Sequence, residues 1–283
     1  MNLQPSGDST TLRIQATRGV SSLHLTALWE YRELLYFLVW RDVKVRYKQT
    51  ALGVAWILLQ PILSTVVFTL LFGILLNVPS AGVPYPVFVL AGLLPWTYFS
   101  GALGRTSTSL VNSANLITKV YFPRLVIPLS AVLSGLVDFA VTFVVLVVLM
   151  VVYRITPTPG LVLLPLFLLL AIVTALGFGL WMAALNVRYR DVTYLVPFLL
   201  QIWMYLTPVV YASTLIPERF RWLLALNPMA AVVMGFRWSL LGGTLADAPP
   251  TNLLIISTSL ALVVLATGAV FFRSTERTFA DVI

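Results

Sequence analysis

The stretch Leu125 to Val152, LVIPLSAVLSGLVDFAVTFVVLVVLMVV, holds 28 residues and one ionisable side chain, Asp138. An α-helix rises about 1.5 Å per residue, so a hydrocarbon core of roughly 30 Å takes about 20 apolar residues to cross. This run is long enough to cross and too uniformly apolar to form one stripe of a soluble helix. Working outward from it, comparable runs occupy Val54–Leu76, Val87–Leu110, Leu161–Leu185, Tyr194–Ala212 and Leu253–Phe272. Six such crossings predict an all-α integral membrane protein, because backbone polar groups in lipid must be satisfied within the protein.

The rest of the composition agrees. Of 283 residues, 59% are hydrophobic and 10% charged, against roughly 25% charged in soluble domains. That balance excludes a soluble enzyme and a protein held by a single anchor. The net charge of +8 would point to nucleic acid in a soluble chain; in a membrane protein its placement decides. Six crossings put both termini on one side. With the N-terminus inside, the inner segments hold Arg13, Arg18, Arg32, Arg41, Lys44, Arg46, Lys48, Lys119, Arg124, Arg188, Arg190, Arg273 and Arg277, 13 of the 18 basic residues. The outer segments hold Arg154, Arg219, Arg221 and Arg237, and Arg105 falls inside a span. This bias predicts an N-in/C-in topology and removes any need for a nucleic-acid partner.

Absences narrow the chemistry. There is no Cys, and His24 is the one His, far from any acidic pair. Thiolate and histidine metal sites and a Ser-His-Asp centre are therefore not expected, and neither catalytic nor metal-ligating residues are assigned. The lysines are Lys44, Lys48 and Lys119, none preceded by the glycine pattern of a phosphate-binding loop. If ATP drives this protein, another subunit binds it. Residues 1–21 are polar and lack an apolar run, so they read as a flexible cytoplasmic tail with no cleavable signal. The expected organisation is a tail over 1–23, an amphipathic helix with a basic segment over 24–48, a six-helix membrane domain over 49–277 and a cytoplasmic C-terminus over 278–283.

Residues 24–40, HLTALWEYRELLYFLVW, repeat apolar side chains at a helical period with Thr26, Glu30 and Glu33 opposite, the pattern of a helix lying in the interface. It leads into Arg41, Lys44, Arg46 and Lys48, with Arg41, Lys44 and Lys48 on one helical face. Cations at an inner leaflet attract anionic headgroups by about 1 kcal/mol each. The segment reads either as a positive-inside anchor or as a docking site for a phosphorylated lipid. A second inner segment, Val111 to Arg124 (VNSANLITKVYFPR), starts with capping residues and stops at Pro123; between them a short helix is expected to expose Leu116, Tyr121 and Phe122 to a cytoplasmic partner. The third, Asn186 to Asp191, is compact and charged.

On the outer side, Ser213 to Asn252 contains two apolar pieces too short to cross, Trp222–Leu226 and Met229–Leu241, broken by Asn227-Pro228. They read as a re-entrant hairpin between helices 5 and 6, or as amphipathic helices lying flat at the headgroups. Inside the membrane, Arg105 and Asp138 are functional candidates, and they pair if their spans stagger; Arg105 alone could also snorkel inward. Aromatic and hydroxyl side chains on the second and fifth spans, including Trp96, Tyr98, Phe99, Trp203 and Tyr205, suit either a surface along which a sugar polymer slides or ordinary helix packing.

Taken in order, RDVKVRYKQTALGVAWILLQP (Arg41 to Pro61), AGLLPWTYFS (Ala91 to Ser100), NLITKVYFPRLVIPLS (Asn115 to Ser130), LNVRYRDV (Leu185 to Val192), LTPVVY (Leu206 to Tyr211) and LNPM (Leu226 to Met229) resemble the permease subunit of type-2 ABC exporters. Within that family the chain is most similar to the branch exporting lipid-linked polysaccharides such as O-antigen, with teichoic acid and capsule exporters as relatives. The resemblance implies a homodimer of permeases in the bacterial inner membrane, joined to two copies of a separate ATPase subunit that binds ATP and Mg, with no cofactor in this chain. It implies a gate helix over 24–40, and a coupling helix bearing Asn115, Leu116, Lys119, Tyr121, Phe122 and Arg124. It further implies contact between Arg41, Lys44, Arg46 and Lys48 and the pyrophosphate of a polyprenyl carrier, a channel lined by aromatics such as Trp96, Tyr98, Phe99, Trp203 and Tyr205, and an outer gate around Trp222, Pro228 and Trp238. Other type-2 cargoes, among them lipids and drugs, fit the same fold. A secondary transporter would need more intramembrane ion-coupling groups than Arg105 and Asp138, and a membrane glycosyltransferase a carboxylate cluster that Asp42 and Asp191 do not make.

Overall fold

A computed structural model describes residues 29–48, 55–80, 82–242, 251–276 and 279. The expected tail, His24, the start of the amphipathic helix, Arg277 and the C-terminal residues 280–283 lie outside the described residues. Among those described, every regular element is helical. Helix α1 spans Arg32–Lys48, α2 Ala55–Phe68 with a π-helical continuation Thr69–Leu75, α3 Tyr85–Asn112, α4 Ala114–Lys119, α5 Val126–Leu133 and α6 Gly135–Val152. A 3-10 turn at Pro159–Leu163 leads into α7, Leu164–Arg188; α8 spans Val192–Leu206 and α9 Glu218–Arg221, followed by a 3-10 turn at Trp222–Leu226, then α10 Pro228–Leu241 and α11 Thr251–Glu276.

Five segments are long and apolar enough to cross a membrane: Ala55–Leu75, Tyr85–Asn112, Val126–Val152, Pro159–Arg188 and Thr251–Glu276. They coincide with five of the six expected spans, and the protein is an all-α integral membrane protein. The third is interrupted at Ser134 between α5 and α6. A Cβ at Gly135 would run into the Arg105 guanidinium, so the break and the missing side chain together admit that cation. The expected fifth span, Tyr194–Ala212, is helical only to Leu206. Its 15 residues reach about 22 Å, because Pro208 cannot continue the ladder; the chain leaves the helix at an extended Thr207 and runs through turns and bends to Tyr211.

Helix α3 is the hub. Val87, Phe88, Leu90, Leu94 and Phe99 are wholly or almost wholly buried, and α5, α6, α7, α8 and α10 all pack on it. Helix α7 lies along both α3 and α11. The α7–α11 approach is close enough that a Cβ at Gly177 would sit 2.9 Å from the Leu265 nitrogen and one at Gly268 2.6 Å from the Gly177 carbonyl, the small-residue packing of membrane helices.

A second, smaller core gathers at one end of the bundle. It joins Leu38 of α1, Leu110 of α3, Ile117 of α4, Phe122, Val126 and Ile127, Leu180 and Ala184 of α7, and Phe272 and Phe279. The inner ends expected for the second, third, fourth and sixth spans thus meet at one end, beside α1 and α4.

Candidate functional site

The described part of the amphipathic stretch runs without a break into the basic segment as one helix, Arg32–Lys48. Helix α1 buries Leu38 and Val43 against the bundle, chiefly along α5, and exposes Tyr36, Phe37 and Trp40. Apolar rings thus occupy more of its surface than the single stripe expected, which suits a helix embedded at an interface. Its last two turns carry the cations. Arg41 folds back on Asp42 at 2.9 Å, whereas Lys44 and Lys48 are exposed.

Arg46 turns inward. Its Nη1 donates to Asp138 Oδ2, and its Nη2 donates to the Ser134 hydroxyl at 3.3 Å. The Tyr47 hydroxyl donates to the other Asp138 oxygen. Burial first, and then the hydrogen bond to the Asp138 carboxylate and its charge, push the Tyr47 hydroxyl pKa up, so at neutral pH it stays a protonated donor. Arg105 approaches the same carboxylate at 3.8 Å and donates through Nε to the Ala131 carbonyl at 3.4 Å. The expected Arg105–Asp138 pairing is therefore present as the longer of two contacts, and the shorter one comes from α1. These groups edge a cavity of about 390 Å³ between α1, α2, α3 and α6.

The second inner segment forms α4, flanked by Ser113, whose side chain makes no capping bond. Asn115 and Lys119 are exposed, Leu116 is half-buried, and Tyr121 is 95% exposed. Phe122 differs from the expectation: the chain leaves α4 through the extended Val120, and at 5% exposure Phe122 fills the second core together with Ile117 and Val126. Arg124 also faces inward, its backbone N–H donating to Glu276 Oε1 at 3.3 Å and its guanidinium to the Glu276 carbonyl. The exposed surface of residues 114–121 is Asn115, Thr118, Lys119, Val120 and Tyr121.

The aromatics divide. Trp96, Tyr98 and Phe99 are buried; Trp96 and Phe99 pack inside the fold, and Tyr98 edges the 390 Å³ cavity. Trp203 meets Phe99 and Phe178 edge-on at 5.0 and 4.9 Å. Tyr205 stands 60% exposed on α8, on the side that also presents Tyr194 and Phe198. Trp203 and Tyr205 both line a larger, mostly apolar cavity of about 700 Å³ between α8 and the hairpin of residues 218–241.

That hairpin bends by 104° at Asn227 between Glu218–Leu226 and α10. Asn227 makes the break: its Oδ1 accepts from the Met229 N–H and from Trp203 Nε1 at 2.8 Å, and its Nδ2 donates to Thr207 Oγ1. Ser257, six residues into α11 and so about 9 Å along it, donates to the Ala225 carbonyl. Nearly every residue of α10 is buried, Pro228 included; Trp238 is half-buried and Trp222 exposed. Helix α10 is therefore enclosed by protein and presents no open apolar face, the covering that a broken helix requires if it lies at membrane depth.

Arg237, counted by sequence among the outer-side charges, is fully buried in protein, which the sequence did not indicate. Its guanidinium donates to the carbonyls of Phe88, Pro208, Val209 and Tyr211 and lies 3.8 Å over the Phe88 ring. A Cβ at Gly92 would come within 2.6 Å of it, so the glycine leaves the space. Arg237 thereby satisfies the backbone that α8 abandons when it stops at Leu206.

With this geometry in place, the comparisons with known proteins are specific. The family described as ABC-2 type transporter matches residues 33–241. The chain is 35% identical over 258 residues to the O-antigen export system permease protein RfbA of Myxococcus xanthus, covering 90% of this chain and 96% of that one. It is 34% identical over 214 residues to the protein of the same name from Klebsiella pneumoniae, covering 75% and 82%. The polysialic acid transport protein KpsM of Escherichia coli is 23% identical over 237 residues, covering 83% and 91%.

Proposed function

This chain belongs to the ABC-2 type transporter family, and from that premise we propose that it is the permease of an ATP-driven exporter carrying a polyprenyl-pyrophosphate-linked polysaccharide of the O-antigen class out across the cytoplasmic membrane. The observation that carries this reading is the 35% identity to an O-antigen export permease over nine-tenths of the chain. The similarity to KpsM supports a capsule polysaccharide as the second reading.

Two permeases assemble with two copies of a separate ATPase, which holds ATP and Mg. The chain runs N-in/C-in, with the second core at the cytoplasmic end. Asn115, Lys119 and Tyr121 seat in the ATPase. Because Ile117 of α4 and Leu38 of α1 share that core, a push on α4 is passed to α1 as packing rather than through a flexible linker. Lys44 and Lys48 offer mobile point charges to a pyrophosphate at the inner leaflet. The polymer passes between the two copies along the α8 face bearing Tyr194, Phe198 and Tyr205, and the hairpin around Trp222 opens on the outer side. Nucleic acid has no part in this scheme.

The test is charge reversal at the exposed pair. Lys44→Glu with Lys48→Glu abolishes most surface glycan in a strain lacking the native permease, while the ATPase still co-purifies. Normal surface glycan from that variant would contradict lipid docking at α1.

A further inference from the structure

Three charged side chains edge the 390 Å³ cavity, Arg46, Arg105 and Asp138. Two guanidiniums share one carboxylate, so the cavity keeps one positive charge in excess while Asp138 is ionised. That excess lies in a largely apolar surround, where an unbalanced charge attracts a counter-ion far more strongly than in water. Arg105 is held there by construction. Gly101 and Gly135 leave the room its guanidinium occupies, and the Ala131 carbonyl takes its Nε–H. Its Nη1 stands 3.8 Å from Asp138, too long for a good hydrogen bond. Arg46 carries the short contact to Asp138 and arrives on a different helix. The opposite wall is α2, with the Gln60 amide and Ser64 hydroxyl as further donors and Trp56 as an apolar side.

We propose that this cavity is a phosphate-accepting site in which Asp138 is the resident anion: an incoming phosphate or pyrophosphate group takes over the donors of Arg46 and Arg105 and releases Asp138. Guanidinium groups bind phosphate oxygens in paired, charge-assisted hydrogen bonds; one further negative charge balances the excess, and a phosphate offers the two guanidiniums more acceptor oxygens than the one carboxylate does. The exchange has a mechanical consequence. Asp138 is the anchor by which Arg46 and Tyr47 fix the end of α1 to α6, so occupation of the site loosens that end of α1. The inference deepens the proposed function, on which it rests for the identity of the phosphate as that of a carrier lipid; the chemistry is common to a free anion and a lipid headgroup.

The experiment is equilibrium binding to the purified permease–ATPase complex in phosphatidylcholine nanodiscs, with inorganic pyrophosphate and farnesyl pyrophosphate as probes. Asp138→Asn removes the competing carboxylate and tightens both probes tenfold or more, a gain that misfolding cannot produce. Arg105→Gln weakens both at least tenfold. Tighter binding of the farnesyl probe than of the inorganic one assigns the site to a lipid, and equal binding assigns it to a free anion. If affinity ignores Asp138 and Arg105 but falls with Lys44→Glu and Lys48→Glu, the cavity site is overturned and lipid docking on α1 stands. If neither probe binds any form, both are overturned.

Discussion

Arg237 shows what a single side chain can hold together. Its donors reach three carbonyls of the irregular stretch after α8 and one of α3. Arg237→Ala leaves those buried acceptors short of a donor, at about 1–3 kcal/mol for each unmet group. Arg237→Lys keeps the charge but cannot span the same four positions. Both variants are expected to lower the melting temperature of the detergent-solubilised protein, alanine more than lysine; unchanged melting for both would show that the carbonyl cage is not structural. None of this was legible in the sequence, since the acceptors are backbone atoms and leave no residue signature. Asp138 was legible as an intramembrane charge, and Arg105 as its partner, because both interrupt apolar runs. Arg46 was not, because only the seating of α1 beside α6 brings it within reach.

At the scale of elements, the inner segment after α3 makes the sharpest distinction. Tyr121 and Phe122 are neighbours of similar size, yet one is exposed and the other fills the core that joins α1, α4, α7 and α11. Tyr121→Asp is expected to leave the permease folded and strip it of its ATPase in co-purification. Phe122→Ala is expected to cost about 3–5 kcal/mol of stability through the cavity it opens, seen as lost yield before any effect on partner binding. Equal behaviour of the two variants would contradict the assignment of faces. Composition named both residues but could not orient them, since orientation depends on where α4 ends. The same limit applies to the fifth span: Pro208 was visible, but an irregular segment held inside the bundle by Arg237 and by the Tyr85 hydroxyl on the Val210 carbonyl at 2.5 Å was not. The hairpin break at Asn227-Pro228 was visible, because Asn capping and Pro at the first helical position are local signals.

Over the whole molecule, the long apolar runs are recovered to within a few residues, because crossing length and backbone satisfaction leave the chain little choice. What emerges only from the fold is a division of labour. One core centred on α3 makes the membrane body, and a second joins α1 to α4. Between α1 and that body stands the Arg46–Asp138 contact. The central claim is that this protein, driven by a separate ATPase, moves a lipid-linked glycan outward. Its most direct test is transport in proteoliposomes holding the purified permease and its ATPase, with a polyprenyl-pyrophosphate-linked oligosaccharide in the leaflet facing the ATPase and a lectin or glycosidase in the opposite compartment. The account predicts that ATP makes the glycan accessible to that probe, and that Lys44→Glu with Lys48→Glu abolishes the signal. Accessibility that is the same with and without ATP, or ATP hydrolysis that never exposes the glycan, would contradict it.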